Sequence, residues 1–285
     1  MVKMSEIGDK VTGSYYDKLQ IFYDLVYSKK TAGMHYGFWE EDTKTTEESI
    51  LNTNKFVVKC LDINDDDIIL DAGCGVGGTC VHIGKRHNAE IVGITLSKLQ
   101  VKKARKKTDR QGLSNISYSQ QDYTRTTFQD KSFTKIYGIE SVCYTQNKLD
   151  FFNEAYRLLK NKGKLVISDG YLARKDLNRK ERKVLKKCLI GWGLSTAPTK
   201  EDVFNDLRKA GFKNIKYHDK FKSIRKTRNR IYRLGIGIYL FTLLLDTFRL
   251  APKCIHENTL MCLNQKRLFS DKNNIATYGV FVAEK

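Results

Sequence analysis

Residues 71–78 combine a carboxylate with a glycine-rich turn. They read Asp-Ala-Gly-Cys-Gly-Val-Gly-Gly and directly follow an apolar run, Ile68–Leu70, that is typical of a buried β-strand. Gly73, Gly75 and Gly78 satisfy the G-x-G-x-x-G spacing of dinucleotide-binding loops. Glycines let the backbone approach a ligand without a Cβ clash, and Asp71 would lie at the carboxyl end of the strand, where ligands of open α/β sheets bind. A carboxylate beside bare backbone suits a ligand that carries positive charge.

The next predicted strand disfavours a nicotinamide dinucleotide as that ligand. Such sites place an acidic residue at the end of the second strand, where it binds ribose. Here the run Ile91–Ile94 continues into Thr95, Leu96 and Ser97 with no carboxylate. The alternative to ligand binding is that Asp71 only caps the turn and that the glycines only permit it.

Two of these segments together resemble the cofactor motifs of class I S-adenosylmethionine-dependent methyltransferases. They are residues 71–78 and residues 93–97, Gly-Ile-Thr-Leu-Ser, the latter followed by Gln100. Within that class the sequence resembles the branch that holds sterol C-methyltransferases, tocopherol methyltransferases and cyclopropane fatty acid synthases. The resemblance implies S-adenosylmethionine as the cofactor, which has no pyrophosphate but carries an α-ammonium and a sulfonium.

Three further segments support this branch. Residues 22–26, Phe-Tyr-Asp-Leu-Val, resemble the leader of the sterol enzymes, and residues 138–144, Gly-Ile-Glu-Ser-Val-Cys-Tyr, resemble their fourth-strand motif. Residues 35–39, His-Tyr-Gly-Phe-Trp, resemble the tocopherol enzymes. The resemblance covers about residues 15 to 215.

The resemblance assigns parts of the cofactor to particular residues. The glycine loop would meet the methionine part, Thr95, Leu96 and Gln100 the ribose and adenine side, and Asp122 with Tyr123 the adenine. Gln100 has a second interpretation, because Ser97-x-x-Gln100 is also a helix capping box that needs no ligand. The full set expected to bind the cofactor is Asp71, Gly73, Cys74, Gly75, Gly77, Thr95, Leu96, Gln100, Asp122, Tyr123 and Tyr36.

The catalytic expectation rests on what the methyl acceptor needs. A sulfonium is already an activated electrophile, so the protein must align the acceptor, exclude water and dispose of one proton. If an alkene carbon attacks, a carbocation forms, which aromatic faces and a nearby carboxylate would stabilise. Glu140, at the end of the predicted fourth strand, is the first candidate, with His35 and Tyr144 beside it. Alternatively, Glu140 holds backbone at a strand end and His35 is a packed, hydrogen-bonded histidine.

The sequence also departs from the related enzymes. The tocopherol and cyclopropane enzymes carry a Glu-His pair shortly after the fourth strand, whereas this chain has Cys143-Tyr144. The sterol enzymes have histidine where Tyr144 stands. A bicarbonate-assisted cyclopropane chemistry is therefore disfavoured.

Alternation of β-rich and amphipathic segments predicts an α/β fold. We expect a doubly wound, mostly parallel seven-stranded sheet, the Rossmann-like methyltransferase fold, with an N-terminal helical cap and a helical insertion between the last two strands. The expected strands are 68–70, 90–94, 116–119, 135–139, 164–168, 214–218 and 277–283, and the expected helices are 45–61, 78–86, 97–111, 147–161 and 199–210. The expected units are an aromatic and helical cap (1–62), a cofactor-binding core (63–219), a helical lid (220–274) and a last core strand (275–285).

The apolar segment 231–250 of the lid has two interpretations. It either lines an apolar pocket or dips into a membrane surface, or it is buried against the sheet. Its uncharged part, residues 234–245, is shorter than the roughly 20 residues that span a bilayer. We therefore do not expect a transmembrane helix.

Composition bounds the partners and the compartment. Lysine and arginine total 51 against 32 acids, a formal charge of +19. This charge favours anionic partners such as lipid headgroups, acidic substrates or nucleic acid. Alternatively, the basic runs are solvated helix faces.

Seven cysteines with no C-x-x-C pair predict neither a disulfide framework nor a metal site. A polar start, Met1–Lys10, gives no signal peptide. We expect a cytoplasmic protein, with membrane association left open.

The expected function is methylation of a hydrophobic small molecule, an isoprenoid or sterol-like lipid, at carbon. The alternative within the same class is oxygen or nitrogen methylation of a small natural product. A nucleic-acid-binding protein of methyltransferase fold is disfavoured because no Asn-Pro-Pro-Tyr or Pro-Cys motif is present. The oligomeric state is left open.

Overall fold

A computed structural model of the protein describes Gly33 and residues 35–285. Its centre is one seven-stranded sheet in the order β3-β2-β1-β4-β5-β7-β6, in which β7 alone runs antiparallel to its neighbours. The strands are β1 (Ile68–Ala72), β2 (Glu90–Thr95), β3 (Ile116–Gln120), β4 (Phe133–Ile139), β5 (Leu159–Leu172), β6 (Lys213–Asp219) and β7 (Ala276–Glu284). The expected fold class is confirmed.

Helices cover both faces of this sheet. They are α1 (Thr46–Leu61), α2 (Gly78–Gly84), α3 (Lys98–Asp109), α4 (Lys148–Leu158), α5 (Arg179–Trp192), α6 (Lys200–Lys209), α7 (Arg225–Thr247) and α8 (Cys254–Leu268). Successive residues of β1 point to opposite faces, so Ile69 packs with Leu61 of α1 and Ile83 of α2, while Leu70 packs with Phe151 of α4. Burial on both sides explains why β1 begins with a continuous apolar run, Ile68–Leu70.

Helix ends follow the capping signals of the sequence. Thr45 and Glu48 form a complete capping box at the start of α1. Asn178 and Glu181 form another at α5, a helix that the sequence indicated only as a basic run. The predicted helix 147–161 is wrong at its end, because Leu159 is already extended and pairs with Phe133 as the first residue of β5.

The expected insertion between the last two strands consists of α7 and α8. The two helices cross closely, since a Cβ on Gly235 would lie 2.7 Å from Cys262 Cβ, and α8 crosses α5 equally closely at Gly191, where a Cβ would lie 2.3 Å from Met261 Cβ. Among the described residues, no helix is both long and apolar enough to cross a bilayer. Of the predicted cap, residues 1–32 with the motif at 22–26 lie outside the described residues.

Candidate active site

A cavity of about 280 Å³ opens at the carboxyl ends of β1, β2 and β4. Parallel pairing brings these ends together, with Asp71 of β1 opposite Gly93 of β2 and Tyr137 of β4. The cavity has a polar end at the glycine loop and an apolar end beneath the insertion. The expected residues that line it are Asp71, Gly73, Cys74, Gly75, Thr95, Leu96, Gln100, Tyr123, Tyr36, His35, Glu140 and Tyr144.

Asp71 is a buried carboxylate that accepts hydrogen bonds from side chains of β4 and α2. Its Oδ2 accepts hydrogen bonds from the Tyr137 hydroxyl at 2.7 Å and from the Cys80 thiol at 3.2 Å. Burial raises the pKa of Asp71 to about 6, which the two hydrogen bonds partly oppose. A cationic group of a ligand at this end of the cavity would favour the ionised form.

The glycine loop needs its glycines for conformation and for space. Gly73 has φ of +105° and Gly75 has φ of +53°, in the left-handed region that side chains disfavour. A Cβ on Gly73 would lie 2.3 Å from Ser141 Cβ. Gly77 lies outside the cavity lining: it begins α2 at φ of +76°, and a Cβ there would lie 2.5 Å from the Tyr118 hydroxyl. Its role is therefore to shape the turn.

Gln100 forms only half of the capping box that its spacing suggests. Its backbone N–H donates to Ser97 Oγ at 3.1 Å, but its side-chain Oε1 accepts from Thr95 Oγ1 at 2.7 Å. The Ser97 backbone N–H donates to Thr95 Oγ1 instead of to Gln100. The Gln100 side chain is thus turned toward the cavity, which favours a role in ligand binding over capping alone.

Tyr123 and Asp122 differ in their position relative to the cavity. Tyr123 lines the cavity, donates its hydroxyl proton to the Ser141 carbonyl at 2.7 Å and packs edge-on against Phe151. Asp122 lies outside the cavity lining and braces its own turn, accepting from Thr124 N at 2.8 Å and pairing with Arg125 at 3.2 Å. Its Oδ2 is buried and, apart from the ion pair with Arg125, has no hydrogen-bond partner among the described residues.

Glu140 follows β4 and occupies a strained backbone conformation, with φ of +49°. Its Oε1 accepts from the Tyr36 backbone N–H and from the Tyr278 hydroxyl, each at 2.7 Å. Burial raises the pKa of Glu140 to about 8; the two hydrogen bonds lower it, and the nearby Asp169 raises it. A carboxylate with this pKa is suited to exchange a proton near neutral pH.

Tyr36 connects the carboxylate to the insertion. Its hydroxyl donates to Gln265 Oε1 of α8, while its ring lies 5.7 Å from the Tyr278 ring and 5.8 Å from the Phe269 ring. The aromatic cluster therefore stands between the polar and apolar ends of the cavity. Two of its members, Tyr36 and Tyr278, hydrogen-bond Glu140, so aromatic rings lie near a carboxylate and could stabilise positive charge on an acceptor.

Both nitrogens of the His35 ring lie 3.1 Å from acceptor atoms, the Tyr36 carbonyl oxygen and Asn54 Oδ1. Burial lowers the pKa of His35, which favours the neutral ring. A neutral ring carries one N–H and donates to one of these two oxygens. This geometry matches a packed, hydrogen-bonded histidine. Tyr144 lines the cavity from the short 3₁₀ turn Val142–Tyr144.

The sequence did not indicate three of the polar residues at this site. Asp169, within β5, accepts from Cys143 N at 2.9 Å and Gly170 N at 2.8 Å, and burial raises its pKa to about 6. Its position directly after the predicted strand 164–168 was the available signal. Tyr278 and Gln265 carry no such signal, because only the folded chain brings β7 and α8 to Glu140.

The apolar end of the cavity forms a chamber between α5, α7 and α8. Its walls are mostly apolar side chains of the three helices. We call this region the apolar chamber. Its lining includes Leu185, Leu189, Trp192, Ile231, Leu234, Ile238, Ile255, Met261, Leu268 and Phe269.

Fold and site together define a doubly wound protein with a polar cleft at its glycine loop and an apolar chamber next to it. The family model described as mycolic acid cyclopropane synthetase matches residues 7–228. The chain belongs to this family. S-adenosylmethionine is the cofactor of the family, as expected, and a geranyl diphosphate methyltransferase of the same fold has been crystallised with it.

Individual relatives agree with this assignment. Sterol 24-C-methyltransferase of Kluyveromyces lactis is 25% identical over 212 residues, 73% of this chain and 56% of that protein. Norajmaline N-methyltransferase of Rauvolfia serpentina is 30% identical over 202 residues, 65% of this chain and 69% of that protein. The chain spans about half the length of several curated relatives that it matches.

Solved structures share the whole fold. The cyclopropane synthase MmaA2 of Mycobacterium tuberculosis superposes with a TM-score of 0.81 at 18% identity, covering 97% of this chain and 98% of that one. The geranyl diphosphate C-methyltransferase of Streptomyces coelicolor A3(2) gives 0.74 at 14% identity and covers 97% of both chains. At these identities the likeness establishes the architecture alone.

Proposed function

We propose that the protein is an S-adenosylmethionine-dependent methyltransferase that methylates a carbon of a hydrophobic isoprenoid or sterol-like lipid. The observation that carries this proposal is the position of Glu140, which lines the cavity. It adjoins Ser141, which packs against Gly73, and it binds Tyr36, whose hydroxyl donates to Gln265 of α8. The sterol and geranyl diphosphate enzymes among the similar proteins support the same acceptor class. Residues 63–219 and 275–285 would hold the cofactor, 220–274 would form the lid and 1–62 the cap.

The cavity lining fits this cofactor. Bare backbone at Gly73 and Gly75 beside the Asp71 carboxylate suits an α-amino acid end, and Thr95, Leu96 and Gln100 offer hydroxyl, apolar and amide contacts for a nucleoside. When bound, the cofactor supplies a methyl group activated by a sulfonium. Gly77 and Asp122 are left out of the proposed contacts because they lie outside the lining.

In the proposed reaction the chain's own residues handle the acceptor. The apolar chamber aligns it and excludes water. As an alkene carbon forms its bond to the methyl group, positive charge develops on the acceptor beside the faces of Tyr36 and Tyr278. The Glu140 carboxylate then accepts a proton from the neighbouring carbon, which restores the double bond.

Oxygen or nitrogen methylation of a small natural product is the alternative, favoured by the relative that methylates norajmaline. In that case Glu140 would take the proton of a hydroxyl or ammonium group. For the compartment we propose the cytoplasm, because the seven cysteines are odd in number and include no C-x-x-C pair.

Two measurements test the proposal. Calorimetry with S-adenosylmethionine should show binding that Asp71→Ala and Gly75→Leu weaken; absence of binding by the native protein would refute the cofactor assignment. Transfer of a labelled methyl group should then be screened against extracted lipids and against polar metabolites. Label placed on a carbon of the lipid by NMR indicates carbon methylation, whereas label on oxygen or nitrogen, or only in polar compounds, favours the alternative.

A further inference from the structure

The outer face of α7, together with the turn that follows it, exposes a group of large apolar side chains. All of them are more than half exposed, and they account for most of the exposed large hydrophobic residues in the described part of the chain. Large contiguous apolar patches are uncommon on monomeric proteins and mark interaction surfaces. The members of this outer patch are Ile236, Leu240, Phe241, Leu244, Phe248 and Leu250.

The outer patch continues a stripe along α7 that begins with basic residues. Ile236, Leu240, Leu244 and Phe248 succeed one another at four-residue intervals, which places them on one face of the helix. Continuing toward the amino end at three- and four-residue intervals, the same face carries exposed Arg233, Arg230 and Lys226. The two arginines have no acidic partner within residues 35–285. One helix face is therefore cationic in its first half and apolar in its second.

The inner face of the same helix lines the apolar chamber. Ile231, Leu234, Ile238 and Thr242 all border the cavity. The side chains of one helix thus separate the chamber from the outer patch.

We propose that this outer face of α7 docks on the surface of an anionic lipid bilayer. Its apolar half would enter the boundary between headgroups and acyl chains, and Lys226, Arg230 and Arg233 would contact the headgroup phosphates. The contact is peripheral, consistent with the absence of a spanning helix among the described residues. Together with the proposed function, it brings the chamber to the membrane in which a lipid acceptor is dissolved.

Charge favours a bilayer over a second copy of the chain as the occupant. A second copy carries the same formal charge of +19, so that association would bring like charges together. An anionic bilayer has the opposite charge, and its interface also accepts apolar side chains. Within residues 225–253, only Asp246 is acidic, against seven lysines and arginines.

Vesicle flotation with the full chain tests the proposal. We expect binding to vesicles of equal parts phosphatidylcholine and phosphatidylglycerol, weaker binding to phosphatidylcholine alone, and loss with added salt. A triple variant, Leu240→Ser with Phe241→Ser and Leu244→Ser, should lower the partition coefficient by about tenfold or more. Arg230→Glu with Arg233→Glu should abolish the preference for anionic vesicles.

A matched control separates the outer patch from general hydrophobicity. Leu99→Ser with Ile190→Ser removes two exposed apolar side chains that lie on α3 and α5 and should bind vesicles like the native protein. Unchanged melting temperature and S-adenosylmethionine binding would show that each variant is folded. None of the substituted residues lines the cavity.

Two results would overturn the proposal. One is vesicle binding by the triple serine variant equal to that of the native chain. The other is a dimer, measured by light scattering, that this variant converts to a monomer while native binding to vesicles is absent. Asp71→Ala distinguishes docking from the proposed function, because it should lose cofactor binding and retain vesicle binding.

Discussion

Tyr278 of β7 donates its hydroxyl proton to Glu140 Oε1 at 2.7 Å. The last strand of the chain therefore holds the carboxylate that directly follows β4. The two strands are not neighbours, because β5 lies between them. The backbone N–H of Tyr36 binds the same oxygen from the other side. Glu140 is thus fixed in position at the junction of the cavity while burial raises its pKa to about 8.

Replacing Glu140→Gln keeps the side-chain shape and removes the base. We expect methyl transfer to fall by about 10²–10⁴-fold. In the native enzyme the ionised form is active, so kcat/KM should rise with pH through an apparent pKa near 8. A labelled-methyl assay across neutral and mildly alkaline pH should show this rise in the native enzyme and not in the variant.

The control is Glu154→Gln, since Glu154 pairs with Arg157 at 2.7 Å and lies outside the cavity lining. It should leave the pH profile unchanged. Full activity of Glu140→Gln would remove Glu140 from the mechanism.

Tyr278→Phe removes a hydrogen bond that favours the ionised form of Glu140. The pKa of the carboxyl should therefore rise further, and the rise in kcat/KM should move to higher pH by about one unit. Tyr118→Phe, which loses a buried hydroxyl bonded to Thr108 at 2.9 Å, should reduce stability without moving the profile. If both variants have the native profile, Tyr278 has no part in setting the pKa.

Cofactor affinity should depend on pH through Asp71. Burial raises the pKa of Asp71 to about 6, so the carboxyl is protonated in mild acid and attracts a cation less. The affinity for S-adenosylmethionine should increase as pH rises through about 6 and then level off. Calorimetry on Asp71→Asn should give weaker binding, by about tenfold, with no such increase; the same pH dependence in the variant would assign it to another group.

Gly73→Ala should damage the cofactor site by sterics. The added Cβ would lie 2.3 Å from Ser141 Cβ at a φ of +105°, so we expect at least a tenfold loss of S-adenosylmethionine affinity or failure to fold. Gly112→Ala is the matched control: its φ is +65°, but a Cβ there meets nothing within 4 Å. It should cost about 1 kcal/mol of stability and leave affinity unchanged, as measured by thermal melting and calorimetry.

Gln100→Ala distinguishes ligand binding from helix capping. Because the side chain contacts Thr95 and the cavity rather than the Ser97 backbone, we expect weaker cofactor binding with little change in melting temperature. Thr45→Ala, at the complete capping box of α1, should do the opposite and lower the melting temperature by about 2–4 °C. If Gln100→Ala binds S-adenosylmethionine with the native dissociation constant, the role of Gln100 is helix capping and not cofactor binding.

Local sequence patterns predicted most of the fold. Short β-rich runs indicated every strand of the sheet, and the burial of the central strands such as β1 on both faces reflects their parallel pairing. The length of β5 was missed, because its first residues, beginning at Leu159, have no strand pattern of their own and are extended by pairing with Phe133. The sequence also left open which face of α7 packs against the core, because a helix that is apolar on several sides does not indicate that face.

The sequence by itself determined the cofactor loop. Asp71, Gly73 and Gly75 act through backbone conformation and a strand end, which are local properties that a short segment specifies. Only the tertiary structure decided the surroundings of Glu140. Tyr36 and Tyr278 lie 104 and 138 positions from Glu140 in the sequence, and Gln265 lies 229 positions from Tyr36. Contacts at such separations depend on strand order and helix packing, and no local pattern encodes them.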